Sequence, residues 1–353
     1  MSELLPGLRS RRVVTPRLTM AVLEPDTDDR SGPTVLFLHG NVSSSLFWQT
    51  TMLALPAPYR PVAADLRGFG DTDPEPVDAT RGLRDYADDV AGLVDALGLD
   101  TVHVVGWSMG GGIVLQYLLD APGRIASLTL VNPVSPFGFG GTKGLDGELC
   151  DPGGAGSGGG AVNAEFLRRL AEGDLGAESA LSPRSVLLAH YVKPPAKPEP
   201  LDILVESMLS TRLGDDHYPG TSTATDAWPG MVPGDRGVLN AMAPTHFRID
   251  DLSGVHPKPP VLWIRGADDV IVSDTSLYDL GYLGSLGAVP GWPGAELWPP
   301  QPMVGQTRAV LDGYAHAGGS YREVVIEDAG HGPHLERPVE FLAALTSHLD
   351  GPA

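Results

Sequence analysis

Cysteine is nearly absent from this chain. Cys150 is the single one among 353 residues, so no intrachain disulfide can form. It lies in a glycine-rich stretch and reads as a free structural thiol. Basic residues are also scarce, with 24 Lys and Arg against 44 Asp and Glu and a formal net charge of −20. That balance excludes a nucleic-acid partner, which needs a basic footprint. It also argues against a polyanionic substrate, and its plain meaning is solubility. No apolar run approaches the length of a membrane span. Met1-Ser2-Glu3 opens the chain without a basic segment leading into an apolar core, so no secretory signal is expected. A cytoplasmic location follows as an expectation, with no membrane partner, and a homodimer is compatible with it. No internal repeat is visible.

Glycine, by contrast, is abundant, and its most informative use is Gly106-Trp107-Ser108-Met109-Gly110. This G-x-S-x-G pentapeptide follows an apolar, β-branched run, Thr101 to Val105, and precedes a helical pattern from Gly111 to Leu119. A serine on a sharp strand-to-helix turn has its hydroxyl pushed out of the sheet. The glycines allow the turn without a Cβ clash, and the helix aims its positive end at the hydroxyl.

Around the pentapeptide, strands alternate with helices. Strands are predicted over 11–24, 34–38, 60–64, 101–105 and 127–131, with a helix over 83–97. This alternation predicts an α/β architecture with a mostly parallel central sheet flanked by helices. The rhythm breaks near Pro133 and returns with strands 260–265 and 321–326 and helix 338–349. Residues 1–136 and 257–353 are therefore read as the core. Residues 137–256 are read as a large helical cap insertion, with helical patterns at 163–172, 183–191 and 200–213. Its glycine-rich start, 138–160, reads as flexible. A second, smaller insertion is placed at 279–308, where Trp292, Trp298 and Pro293, Pro299, Pro300 and Pro302 cluster.

A serine hydroxyl is a weak nucleophile and needs a base, usually a histidine oriented by a carboxylate. After Ser108 the chain offers Asp268 and Asp269 at the end of strand 260–265, then His331 beyond strand 321–326. All three positions are turns at strand ends, so they can converge above one sheet edge. His331 and His334 lack a third ligand at a sensible spacing, so no metal is expected, and no other cofactor.

Five stretches together resemble the α/β-hydrolase superfamily. They are Leu38-His39-Gly40, Asp65 to Gly70, Gly106 to Gly110, Gly266 to Val272, and Ala329 to Glu336. The resemblance spans nearly the whole core and implies the α/β-hydrolase fold, with the chain order Ser, acid, His. It places the acid at Asp269 rather than Asp268, and the base at His331 rather than His334. It implies an oxyanion hole built from the N–H of Met109 and that of Asn41 or, second, Val42. His39 and Asp65 are expected to support their loops. Trp107, Trp48, Val42 and Trp228 are candidate substrate-binding residues.

The nucleophile narrows the chemistry. Epoxide hydrolases and haloalkane dehalogenases of this fold carry an aspartate at the elbow, so Ser108 argues against both. A serine forms an acyl-enzyme, which implies a small-molecule substrate with a carbonyl group, a carboxylic ester or lactone first. The long insertion points to a bulky, apolar substrate. Within that superfamily the chain is similar to hydrolases with extended caps, some of which open macrocyclic lactones such as zearalenone. C–C bond hydrolysis and perhydrolase or haloperoxidase chemistry use the same triad and stand as alternatives. A non-catalytic small-molecule-binding protein is the alternative from another class.

Overall fold

The computed structural model describes residues 4–351. Met1–Glu3, on which the leader-segment expectation rests, lie outside them. Eight strands form one sheet: β1 (Leu8–Val14), β2 (Thr19–Pro25), β3 (Thr34–Leu38), β4 (Arg60–Ala64), β5 (Val102–Trp107), β6 (Ile125–Val131), β7 (Val261–Gly266) and β8 (Tyr321–Ile326). Their spatial order is β1-β2-β4-β3-β5-β6-β7-β8, and every pair from β4 to β8 is parallel. The strands β3 and β4 are buried along their whole length, as apolar runs covered on both faces must be. Helix α1 (Arg84–Ala96) connects β4 to β5, α2 (Met109–Asp120) connects β5 to β6, α3 (Met303–His316) precedes β8, and α4 (Pro338–Leu349) closes the chain. Among the described residues no helix is long and apolar enough to cross a membrane.

Helix α2 lies unusually deep, with Met109 to Leu118 all buried. Three glycines let it approach. A Cβ on Gly106 would stand 2.3 Å from the Gly110 carbonyl oxygen, and one on Gly110 would stand 2.6 Å from that of Leu38. One on Gly111 would meet Pro133 at 2.5 Å. Backbone atoms cannot yield as a flexible side chain can. Gly106→Ala is therefore expected to destabilise the fold by about 3 kcal/mol, read from chemical denaturation. An unchanged denaturation midpoint would contradict the close approach.

Segment 137–256 runs between β6 and β7. It contains helices Ala164–Ala171 and Leu201–Leu209, short helical turns and two-residue to three-residue β-ribbons. Much of it is irregular chain rather than helix. Its apolar residues, including Phe166, Leu187, Tyr191, Leu204 and Met208, join the same core as the sheet. Its polar contacts fall on loops at the carboxyl ends of the strands. Arg212 N–H donates to the Gly68 carbonyl at 2.8 Å, and the Ser44 and Ser207 hydroxyls pair at 2.6 Å.

Two expectations are corrected. The glycine-rich stretch 138–160 is a packed series of turns, with Thr142, Ala155 and Ser157 buried. Its glycines at positive φ make the turns, and two buried glutamines hold them. Gln301 accepts from Gly140 N–H at 2.7 Å and donates to the Gly138 carbonyl at 3.0 Å. Gln306 accepts from Ser135 at 2.6 Å and donates to the Gly144 carbonyl at 3.0 Å. The second insertion does not reach residue 308, because α3 begins at Met303 and packs against β8. The proline cluster that marked the insertion includes Pro302, which caps that helix.

Candidate active site

Ser108 sits between β5 and α2 with φ 57° and ψ −119°. That backbone state is strained for a residue with a Cβ and persists only where the surroundings fix it. Here Ser108 N–H donates to Val131 O at 2.9 Å, and Ser108 O accepts from Gly111 and Val134 at 2.9 and 3.0 Å. Ser108 is partly exposed while its neighbours from Gly106 to Gly110 are buried.

Asp269 lies in the turn after β7. Its Oδ1 accepts from the N–H groups of Ile271 and Val272 at 2.7 and 3.1 Å. Its Oδ2 accepts from His331 Nδ1 at 2.8 Å, and both side chains are nearly sealed from water. The Nδ1–H tautomer is thereby favoured, which leaves Nε2 as the acceptor. Among the described residues Nε2 has no protein partner, and the Ser108 hydroxyl makes no hydrogen bond to it. Asp268 instead points to Lys193, 2.8 Å away, with 42% of its side chain exposed.

The His331 loop is bracketed from below. Trp107 Nε1 donates to His331 O at 2.7 Å. Asn132, at the end of β6, donates to Gly330 O and His331 O at 3.0 and 2.9 Å and accepts from Gly266 N–H at 3.0 Å. One amide thus joins the β7 end, which carries Asp269, to the His331 loop. The sequence reading noted only that Asn132 is no carboxylate.

The loop after β3 lies against Ser108, for a Cβ on Gly40 would stand 2.9 Å from that of Ser108. His39 is wholly buried, donating from Nδ1 to Gly40 O at 2.7 Å and accepting Leu66 N–H on Nε2 at 3.0 Å. Burial pushes its pKa down to about 3, so it stays neutral. The Ser43 hydroxyl adds a second donor to Gly40 O at 2.9 Å. Since N–H and C=O oppose each other across a trans peptide, this double anchor fixes the direction of Asn41 N–H. Asn41 Oδ1 is buried without a protein partner. Met109 N–H is the first of α2 and has no intrahelical acceptor. Asp65 accepts Ser45 N–H at 2.8 Å and Asp71 N–H at 2.9 Å, as a loop anchor.

The expected substrate-facing side chains need correction. Trp107 and Trp48 are wholly buried. Trp48 ends a turn whose inner face points into the sheet, 5.0 Å from Phe37 and stacked at 4.3 Å on His334. Trp107 turns beneath the His331 loop rather than into solvent. Val42 is buried at φ 47°. Trp228 is pinned to the second insertion, donating to Pro290 O at 2.9 Å and packing edge-on to Trp298 at 5.4 Å. His334 is also buried, and burial, with a smaller contribution from neighbouring His331, pushes its pKa down to about 3. Tyr278, which the sequence reading did not single out, keeps 38% of its surface exposed while burial around its phenol and then the Asp269 charge push its pKa up. His190 stands edge-on to it at 5.4 Å. Among the described residues no group of three or more His, Cys, Asp or Glu is placed to hold a metal.

A family model described as "alpha/beta hydrolase fold" matches residues 33–146, the segment carrying β3 to β6, the elbow and the loop after β3. Carboxylesterase CesB (YbfK) from Bacillus subtilis superposes with a TM-score of 0.58 over 98% of this chain and 93% of its own, at 16% identity. The chain has the α/β-hydrolase fold. Esterase RhEst1 from Rhodococcus sp. ECU1013 shares this α/β-hydrolase fold, at TM-score 0.58 and 20% identity over 98% and 99% of the two chains. In sequence, the chain is 40% identical to epoxide hydrolase 2 of Siraitia grosvenorii over 28% of its length and 31% of that protein. It is 31% identical to carboxylesterase YbfK of Bacillus subtilis over 31% of its length and 36% of that protein. The match thus spans about a third of each relative's length.

Proposed function

We propose that the protein is a serine hydrolase that cleaves a carboxylic ester or lactone through an acyl-enzyme. The observation that carries this reading is the 2.8 Å bond from His331 Nδ1 to the sealed Asp269 carboxylate, together with a serine held at φ 57° whose chain neighbour Trp107 donates to His331 O at 2.7 Å. The proposed roles follow from that geometry. His331 Nε2 takes the Ser108 proton while Oγ attacks the carbonyl carbon. The resulting oxyanion accepts N–H bonds from Met109 and from Asn41 or Val42. The tetrahedral adduct collapses, and the proton on Nε2 leaves with the alcohol oxygen. Water then gives a proton to Nε2 and attacks the acyl carbon; the bond from that carbon to Oγ breaks, Oγ takes the proton back from Nε2, and the carboxylic acid is released. The hydroxyl-to-imidazole bond, not made in the free protein, is expected to tighten when substrate excludes water.

The esterase neighbours support the hydrolase reading. Ser108 supports acyl chemistry over the epoxide opening named for one relative. The apolar residues of the insertion, with Tyr278 near enough to Asp269 to feel its charge and His190 edge-on to Tyr278 at 5.4 Å, support a bulky and largely apolar substrate, macrolactones among them. The test is labelling by a fluorophosphonate probe, with the adduct mapped by mass spectrometry, alongside a panel of p-nitrophenyl esters, simple lactones and macrolactones. A single adduct on Ser108 with turnover of at least one ester or lactone is expected. Absence of both labelling and turnover would overturn the reading.

A further inference from the structure

We propose that Tyr191 is a positioning residue that locks the loop after β3 and the His331 loop together from the insertion. This rests on the serine hydrolase reading and adds to it a residue outside the triad and the oxyanion donors.

Tyr191 ends the segment Leu187–Tyr191, a π-helical turn closed by Val192 N–H on the Leu187 carbonyl at 3.2 Å. Such turns insert one extra residue and re-aim the side chain that follows. Here the ring is driven inward until only 7% of the residue is exposed. It stands edge-on to Trp107 at 5.7 Å and to His331 at 6.1 Å. Its hydroxyl donates to Asn41 O at 3.0 Å, with Val42 O at 3.4 Å. Its own carbonyl accepts Gly332 N–H at 2.7 Å. One residue therefore bonds both loops, by its two ends.

Two residues on, the docking is repeated. Lys193 N–H and Gly330 N–H donate to the two oxygens of Glu336 at 2.6 and 2.7 Å. Burial pushes the Glu336 carboxyl up to about 7, but both oxygens serve as acceptors, so the anion is the form this geometry holds. The insertion thus grips the histidine loop directly at Gly332 and, through Glu336, at Gly330, on either side of the base.

The phenol has a specific task in this frame. The Gly40 carbonyl, and so Asn41 N–H, is fixed by His39 and Ser43. The next peptide has no such support from its own loop. Its carbonyl is that of Asn41, and its N–H is that of Val42, whose φ of 47° is costly for a β-branched residue. Strain of that kind, of order 1–3 kcal/mol, lasts only while neighbours over-determine the backbone. The Tyr191 hydroxyl is the donor that does so. Without it, the 41–42 peptide is free to rotate, and the Val42 N–H loses its alignment on the developing oxyanion.

The experiment is Tyr191→Phe in the full chain, which keeps the ring and removes the hydroxyl. We expect kcat for the best p-nitrophenyl ester to fall 10- to 100-fold with KM within twofold, below the 10²–10³ of a lost donor because the N–H groups remain. A trifluoromethyl ketone, which adds to Ser108 as an oxyanion, should lose affinity by the same factor. The melting temperature should stay within a few degrees. A variant with wild-type kcat and ketone affinity overturns the proposal, and so does equal loss in KM and kcat. If instead the wild type neither turns over esters nor takes the fluorophosphonate label, the hydrolase reading fails and the proposal falls with it.

Discussion

Replacing Ser108 by alanine is expected to lower kcat on the best ester by roughly 10⁴–10⁶ while leaving the fold intact. The first half follows from the mechanism, since the alanine leaves the elbow with no hydroxyl to attack the carbonyl. His331 without its partner can only activate water, which is neither anchored nor oriented on the elbow. The residual rate should come from the N–H groups of Met109 and the loop after β3, which stay in place. The second half follows from the surroundings of Oγ. It has no hydrogen-bond partner among the described residues, so its removal orphans no buried group. The backbone anchors of Ser108, at Val131, Gly111 and Val134, do not involve the side chain. The stability change should stay under about 1 kcal/mol. Turnover and fluorophosphonate labelling check the first claim, and the denaturation midpoint checks the second. Activity within tenfold of wild type would show that the elbow serine is not the nucleophile.

The parts of this site that the sequence made legible are those built from local backbone chemistry. The Gly106–Gly110 elbow needs two glycines at fixed offsets because α2 must pass within van der Waals contact of β5 and of the Leu38 carbonyl. That demand is written in adjacent residues. Strand ends β3, β4, β5 and β7 were marked by apolar runs that stop at polar turns, and the observed strands begin or end within a residue or two of those marks. What stayed hidden depends on contacts across the chain. Asn132 and Tyr191 bond residues about 200 and 150 positions away. A single Asn at a strand end, or a Tyr in an irregular helix, carries no local signal of such a bracket. Trp107 and Trp48 misled for the same reason. Proximity to the elbow and to the β3 loop was legible, but which way each ring turns is decided by its packing: Trp107 stacks on Phe47 at 5.3 Å, Trp48 packs on Phe37, and both meet His334 from the far end of the chain. Glu336 lay inside the motif that marks the His331 loop, and only the fold gives it Lys193 as a partner.

The second large effect is expected at the acid. Asp269→Asn should lower kcat by about 10³–10⁴, whereas Asp268→Asn should stay within threefold of wild type. Both changes remove one charge and almost no volume, so the contrast isolates hydrogen-bond direction. In Asp269, Oδ1 receives two N–H groups, from Ile271 and Val272. An asparagine at 269 must put its carbonyl oxygen there, because its NH₂ would face two donors. The NH₂ is then forced toward His331 Nδ1, where an acceptor now stands. Nδ1 must answer by giving up its proton, and the neutral ring carries it on Nε2 instead. A ring protonated on Nε2 cannot take the Ser108 proton, so the base is present, correctly placed and in the wrong tautomer. Asp268 has no such constraint. It is an exposed partner of Lys193, and pairs of that kind contribute at most about 1 kcal/mol. Steady-state kinetics on the two variants, with unchanged melting temperatures as the control for folding, decide between them. If the loss followed Asp268 instead, the acid would have to be reassigned, and the tautomer argument with it.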